Sequence, residues 1–171
     1  MPNKWTFTIK PIKSLLLQEV KGYYCDPFCG ENSPAEIRND LNPNNIKAQT
    51  HLDALVFLKD LKSNSFDGVL LDPPYSITQA KECYDNFGKD KLKIHVSNMR
   101  YWKEIKDEMQ RIIKVGGKAI CCGWSSMGLG INRGFKMQRI LLVPHGGSKN
   151  DTIVTVETKQ NQTAGGDPNK Y

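Results

Sequence analysis

The sequence predicts an α/β fold in which a mainly parallel sheet ends in an antiparallel hairpin. Three observations carry this. Short apolar runs that end in an acid alternate with helical patterns, as in Gly22-Tyr23-Tyr24-Cys25-Asp26 and Gly68-Val69-Leu70-Leu71-Asp72. The second run is apolar at successive positions, as a strand covered on both faces is. Two further runs, Met137 to Val143 and Thr152 to Glu157, flank a turn rich in Gly, Asn and Asp and read as a terminal hairpin.

In chain order, Trp5, Phe7 and Ile9 alternate with Thr6 and Thr8, which predicts a short extended segment. Ser14 to Val20 predicts one or two helical turns. Gly22 to Asp26 is the first buried strand, and Ala35 to Asn39 is a weaker one ending at Asp40. Leu52 to Leu61 predicts a short helix. The clearest helix spans about Asn98 to Lys114, because Trp102, Ile105, Met109, Ile112 and Ile113 recur at three- and four-residue spacing. Ser97 or Asn98 is its expected cap and Gly116-Gly117 its expected stop. Lys118 to Gly123 is the strand that precedes the hairpin. The expected organisation is one domain over residues 1–157 and a flexible tail over 158–171, with no separate target-recognition domain.

The 171 residues carry 24 Lys and Arg against 18 Asp and Glu, a formal charge of +6, which favours a polyanionic partner. No run is long and apolar enough to span a bilayer, and the N-terminus lacks the apolar core of a signal peptide. Five cysteines without a CxxC pair point to reduced thiols and a cytoplasmic setting. His51, His95 and His145 lack ligand spacing, so no metal is expected.

The sharpest local signal is Asp72-Pro73-Pro74-Tyr75, directly after a buried strand. Neither proline can donate to a ladder, so the pair forms a stiff turn beyond the strand's carboxyl end, where open α/β sheets bind ligands. The turn gathers a carboxylate, the Pro73 carbonyl and an aromatic ring. That set suits a flat substrate with an amino group: two acceptors for its N–H bonds and a ring for stacking. The plainer reading is a Pro-Pro strand terminator with Tyr75 packed beside it. A second loop, Asp26-Pro27-Phe28-Cys29-Gly30, also follows a strand, and its glycine lets backbone approach a ligand. Two more acids come after strand-like segments. Asp40 serves either as an acceptor for ribose hydroxyls or as a turn residue, and Asp53 as an acceptor for an adenine amino group or as a helix cap.

Taken in order, these four elements resemble the S-adenosylmethionine-dependent DNA amino-methyltransferases that act on adenine N6 or cytosine N4. The resemblance covers most of Trp5 to Glu157 and is nearest to small phage-type adenine methyltransferases. It implies a Rossmann-like methyltransferase fold with S-adenosylmethionine as cofactor. Asp26, Pro27, Phe28 and Gly30 match the cofactor loop, Asp40-Leu41 and Asp53-Ala54 the second and third acidic positions, and Lys10 lies in a segment similar to the one that closes over the methionine end. Asp72, Pro73, Pro74 and Tyr75 match the catalytic motif; Asp in its first position leans toward adenine. One departure stands out: only residues 31–39 separate Gly30 from Asp40, so the helix usual after the first strand is shortened or absent.

Under this resemblance Asp72 and the Pro73 carbonyl take the two N–H bonds of the adenine amine, Tyr75 stacks on the base, and the methyl moves by in-line transfer to a flipped-out base. DNA is the expected partner. Ser76 to Lys103 is the candidate contact segment, with six bases (Lys81, Lys89, Lys91, Lys93, Arg100 and Lys103) against three acids and with Tyr84, Phe87, Tyr101 and Trp102 interleaved. Its alternative is a solvated surface. Trp124 and Arg133 are further candidates near the same rim. Specificity is expected either to be short or to be supplied by a second copy of the chain or an accessory subunit. Cytosine N4, an RNA amine, a protein glutamine amide, and a non-catalytic nucleic-acid-binding module with a decayed cofactor site remain the alternatives.

Overall fold

A computed structural model describes residues 5–74, 98–147 and 150–161. Its strands are β1 (Tyr24–Asp26), β2 (Ile37–Arg38), β3 (Phe66–Leu71), β4 (Ile113–Gly123), β5 (Phe135–Val143) and β6 (Thr152–Lys159). Its helices are α1 (Lys10–Glu19), α2 (Ala54–Asp60) and α3 (Met99–Ile112). They form one six-stranded sheet in the order β2-β1-β3-β4-β6-β5. The first four are mutually parallel, and β6 runs antiparallel between β4 and β5. A single parallel bridge between Asn39 and Thr50 extends the sheet beyond β2. This is the α/β architecture read from the sequence.

The buried strands work as their composition requires. Val69 and Leu71 of β3 and Ala119 and Cys121 of β4 face one core with Phe57 and Leu58 of α2 and Ile105, Met109 and Ile112 of α3. The intervening Leu70, Ile120 and Cys122 face a second core with Ile12, Leu15 and Leu16 of α1. Ile105, Met109 and Ile112 are fully buried, each contributing roughly 1.5–3 kcal/mol. The Asn98 side chain caps α3 by accepting from Arg100 N and Tyr101 N at 3.0 and 3.3 Å.

Four expectations change. Residues Thr6–Thr8 form a 3-10 turn rather than an extended segment. The Thr8 hydroxyl and amide both donate to Trp5 O, at 2.8 and 2.9 Å, and α1 begins at once behind it with Pro11 in its first turn. The helix therefore starts at Lys10, earlier than Ser14. Gly116-Gly117 does not stop α3. The chain passes at Ile113 straight into β4, which bulges where the Phe66↔Ile113 pair gives way to Gly68↔Lys118. Gly116 takes φ +80° in that bulge. Finally, the ordered domain passes residue 157. Thr158 and Lys159 complete β6, and Lys159 Nζ reaches inward to Ile113 O and Gln110 O, both at 2.7 Å.

No helix among the described residues is long and apolar enough to cross a membrane. Among them no group of His, Cys, Asp or Glu is placed to hold a metal ion.

Gly68 shows how closely β3 fits against its neighbouring strands. A Cβ there would collide with the Tyr24 ring and approach Lys118 O at 2.7 Å. Gly68→Ala is therefore expected to lower stability by about 2–3 kcal/mol through overpacking, read as a fall in the denaturant midpoint with an unchanged slope. A midpoint within error of the wild type would refute this packing.

Candidate functional site

The carboxyl ends of the parallel strands converge on one edge of the sheet. β1 ends in Asp26, β2 leads through Asn39 to Asp40, Asp53 opens α2, and Asp72 follows β3 directly. The structure thus brings all four sequence-predicted acids to the same edge. Pro73 is buried and Pro74 half-buried behind Asp72. Tyr75 lies outside the described residues, as do Lys81, Lys89, Lys91 and Lys93.

Asp26 is the most buried of the four, with no exposed surface. One oxygen accepts from Phe28 N at 2.9 Å and the other from the Ser33 hydroxyl at 2.6 Å. Burial pushes its carboxyl up to about 7, and the nearby carboxylates of Asp72 and Asp40 add to the rise against the two hydrogen bonds. Its oxygens close the loop that follows β1. Residues 27–36 hold no helix, as their length predicted. Gly30 sits there at φ +52°, a conformation glycine adopts without strain.

What holds this loop is a set of side chains. Asn39, fully buried, donates to Pro27 O and Leu52 O and accepts from the Thr50 hydroxyl and Leu52 N. Its backbone adds bonds to Asp26 O and from Cys29 N. Asn45, 4% exposed, donates to Gly30 O at 2.6 Å and to Asp40 at 2.7 Å. The other Asp40 oxygen accepts from Asn42 N. Ser33, Asn39 and Asn45 were not singled out from the sequence. They sit among turn-forming Asn, Ser and Pro residues, and their polarity reads there as solvent exposure.

Asp53 takes the helix-cap reading. One oxygen caps α2 at Leu55 N and Val56 N, and the other accepts from the Tyr101 hydroxyl at 2.9 Å. Ala54 is buried behind it. Tyr101, expected among nucleic-acid contacts, is 8% exposed and serves this internal bond. Trp102 stacks edge-on with it and lies 5.9 Å from the Phe28 ring, so α3 backs the loop after β1. Pro27 is buried and Leu41 half-buried.

The remaining candidates are scattered. Lys10 is exposed at the start of α1. Arg100 pairs with Glu104 one turn on, at 2.9 Å. Trp124 is 40% exposed just past β4. Arg133 is engaged in the fold, donating to Asp107 at 2.8 Å and to Leu129 O.

No family model matches the chain, and no curated protein does. Solved structures do match in fold. The Burkholderia thailandensis 1,6-didemethyltoxoflavin-N1-methyltransferase, solved with 1,6-didemethyltoxoflavin and S-adenosylhomocysteine, superposes with TM-score 0.59 at 12% identity over 89% of this chain and 78% of that one. The N-methyltransferase NodS from Bradyrhizobium japonicum WM9, in complex with S-adenosylhomocysteine, gives TM-score 0.59 at 9% identity over 91% and 89%. TrmN from Thermus thermophilus gives 0.53 at 15% identity, over 86% of this chain and 47% of that one. At these identities the match defines the fold: a Rossmann-like methyltransferase fold with β6 as its antiparallel insertion.

Asp26 gives the site a pH signature. Its carboxyl is protonated in the fold below about pH 7, whereas once unfolded it titrates near 3.8. Its stabilising effect is complete at low pH and is lost as pH rises through about 7, a span worth up to ~4 kcal/mol. Wild-type stability is expected to fall between about pH 4 and 7 relative to Asp26→Asn, which carries no such proton. Parallel stability-against-pH curves for the two proteins would contradict the assignment.

Proposed function

We propose that this protein transfers a methyl group from S-adenosylmethionine to the N6 amino group of adenine in DNA. The observation that carries the reading is Asp72-Pro73-Pro74, set directly past β3 beside the loop that follows β1, on a fold shared with N-methyltransferases. That a second carboxylate, Asp26, feels the charge of Asp72 supports placing the catalytic turn against the cofactor loop.

The donor set fits the cofactor. Gly30 offers close backbone approach, and each Asp40 oxygen carries one hydrogen bond and keeps a lone pair for a ribosyl hydroxyl. Phe28 and the buried Pro27 give the loop an apolar side. Asp40, Leu41 and the start of α2 at Asp53-Ala54 would hold the nucleoside portion, and the loop through Gly30, with Lys10, the methionine end. When bound, S-adenosylmethionine supplies an electrophilic methyl group on a sulfonium.

The chain's own residues then do the positioning. The adenine amine is a weak nucleophile because its lone pair is delocalised into the ring. The Asp72 carboxylate and the Pro73 carbonyl accept its two N–H bonds, which localises that lone pair and orients it. Asp72 also takes the proton that the alkylated nitrogen sheds. Tyr75 provides the stacking surface for the base. Lys81, Lys89, Lys91, Lys93 and Arg100 supply phosphate contacts, and a homodimer or an accessory subunit extends the contacted length.

A specific observation favours one other reading: the carboxylates of Asp26, Asp40 and Asp53 all carry hydrogen bonds from the protein itself. A nucleic-acid-binding module that no longer takes cofactor would look the same. Calorimetry with S-adenosylmethionine separates the two, since only the enzyme releases binding heat.

The decisive assay is transfer of tritiated methyl to DNA, RNA and protein pools, followed by identification of the product. N6-methyladenine in DNA is expected; label in protein alone would overturn the nucleic-acid reading. Asp72→Ala is expected to cut turnover by ~100-fold or more while S-adenosylhomocysteine still binds. Wild-type turnover in that variant would refute the mechanism. Tyr75→Phe is expected to keep most of the activity that Tyr75→Ala loses, whereas equal loss in both would exclude stacking.

A further inference from the structure

The chain lacks a helix after β1, yet its loop is held without strain at the ligand-facing edge of the sheet. The residue that ties this loop to the second acidic position is Asn45, which lies 15 residues beyond Gly30 in the short segment after Asp40. Its amide spends both hydrogens on the site: one on Gly30 O at 2.6 Å and one on Asp40 Oδ2 at 2.7 Å. Its own oxygen accepts from Lys47 N at 3.0 Å, and its backbone closes turns with Asn42 O and Ala48 N. At 4% exposure this amide has almost no water to turn to. A buried carboxamide satisfied at every hydrogen has one orientation.

The consequence falls on Asp40. Asn42 N holds Oδ1 and Asn45 holds Oδ2, so the plane of the carboxylate is fixed and each oxygen keeps acceptor capacity. A neutral donor achieves this without cancelling the charge, which a lysine or arginine in the same place would do.

We propose that Asn45 is a positioning residue of the nucleoside subsite: anchored on Gly30 O, it sets the Asp40 carboxylate for the ribosyl hydroxyls. The assignment rests on the proposed S-adenosylmethionine-dependent reading of the site. Asn45 itself touches no ligand. It acts through Asp40, and so its effect is confined to ligands that carry the hydroxyls Asp40 receives.

The test is calorimetric binding of S-adenosylhomocysteine and of its 2′,3′-dideoxy analogue to four proteins: wild type, Asn45→Ala, Asp40→Ala and the double variant. Asn45→Ala is expected to weaken S-adenosylhomocysteine by ~10-fold or more, the scale of a hydrogen bond to a charged group. The dideoxy analogue is expected to change by less than about two-fold. In the Asp40→Ala background the Asn45 effect is expected to vanish, as it must if one residue acts through the other. Equal weakening of both ligands, or an undiminished effect without Asp40, overturns the proposal and leaves Asn45 a simple loop staple. Should Asn45→Ala fail to fold, Asn45→Ser, which keeps one donor, is read in the same cycle against the same two outcomes. A wild-type protein that binds neither ligand overturns the cofactor reading itself, a result distinct from a wild type that binds both and an Asn45→Ala that discriminates between neither.

Discussion

Asn39 is the constraint on which the rest of the site depends. Six hydrogen bonds meet on this one fully buried residue: four on its side chain and two on its backbone. They join four stretches of chain: the end of β1, the loop behind it, the Thr50 bridge and the entry to α2. Two of those stretches carry no regular structure of their own. A buried asparagine whose partners were removed would leave donors and acceptors unmet at roughly 1–3 kcal/mol each. The geometry is therefore held all at once or not at all. Loosening of any one of these stretches would cost bonds to the others, which couples the loop after β1 to the entry of α2.

The architecture was legible where burial alone determines composition. Val69-Leu70-Leu71 and Ala119-Ile120-Cys121-Cys122 point to both faces of the sheet, and both faces are covered, so no alternation was available to mislead. The placement of Asp26, Asp40, Asp53 and Asp72 followed from their position after strands. Three features were hidden. The alternation of Trp5, Phe7 and Ile9 spans too few residues to separate an extended segment from a tight turn, and a threonine hydroxyl tips the balance. Gly116-Gly117 looks like a helix stop because glycine serves both ends and bulges, and only the pairing of β3 with β4 distinguishes them. Ser33, Asn39 and Asn45 belong to turn-rich sequence, and their burial depends on partners far along the chain.

The electrostatics of the edge run against the charge of the whole molecule. A chain with a net +6 gathers its best-ordered carboxylates at the ends of its parallel strands. Few of these are balanced by a cation. Asp40 is held by amide and backbone donors, and Asp53 by a phenol and a helix terminus. Neutral donors orient a carboxylate and leave its field intact, whereas the surface pairs such as Arg100–Glu104 and Arg133–Asp107 cancel within themselves. The Asp40 and Asp53 carboxylates thus stand without a bonded cation where ligands enter an open α/β sheet.

The place of β6 in the sheet bears on how the molecule is made. β5 leaves the ribosome before β6, yet among the described residues it pairs with β6 alone, and β6 is what joins it to β4. Until the last strand arrives, the growing chain holds a parallel half-sheet with an open β4 edge and an orphan strand carrying Ile140, Leu141 and Leu142. Both are sticky surfaces of the kind that chaperones shield. Sealing the sheet waits on the final strand, whose Lys159 then reaches back to the carbonyls at the α3–β4 junction. The nascent chain thus has a period of vulnerability whose length is set by the time taken to translate and release residues 144–159.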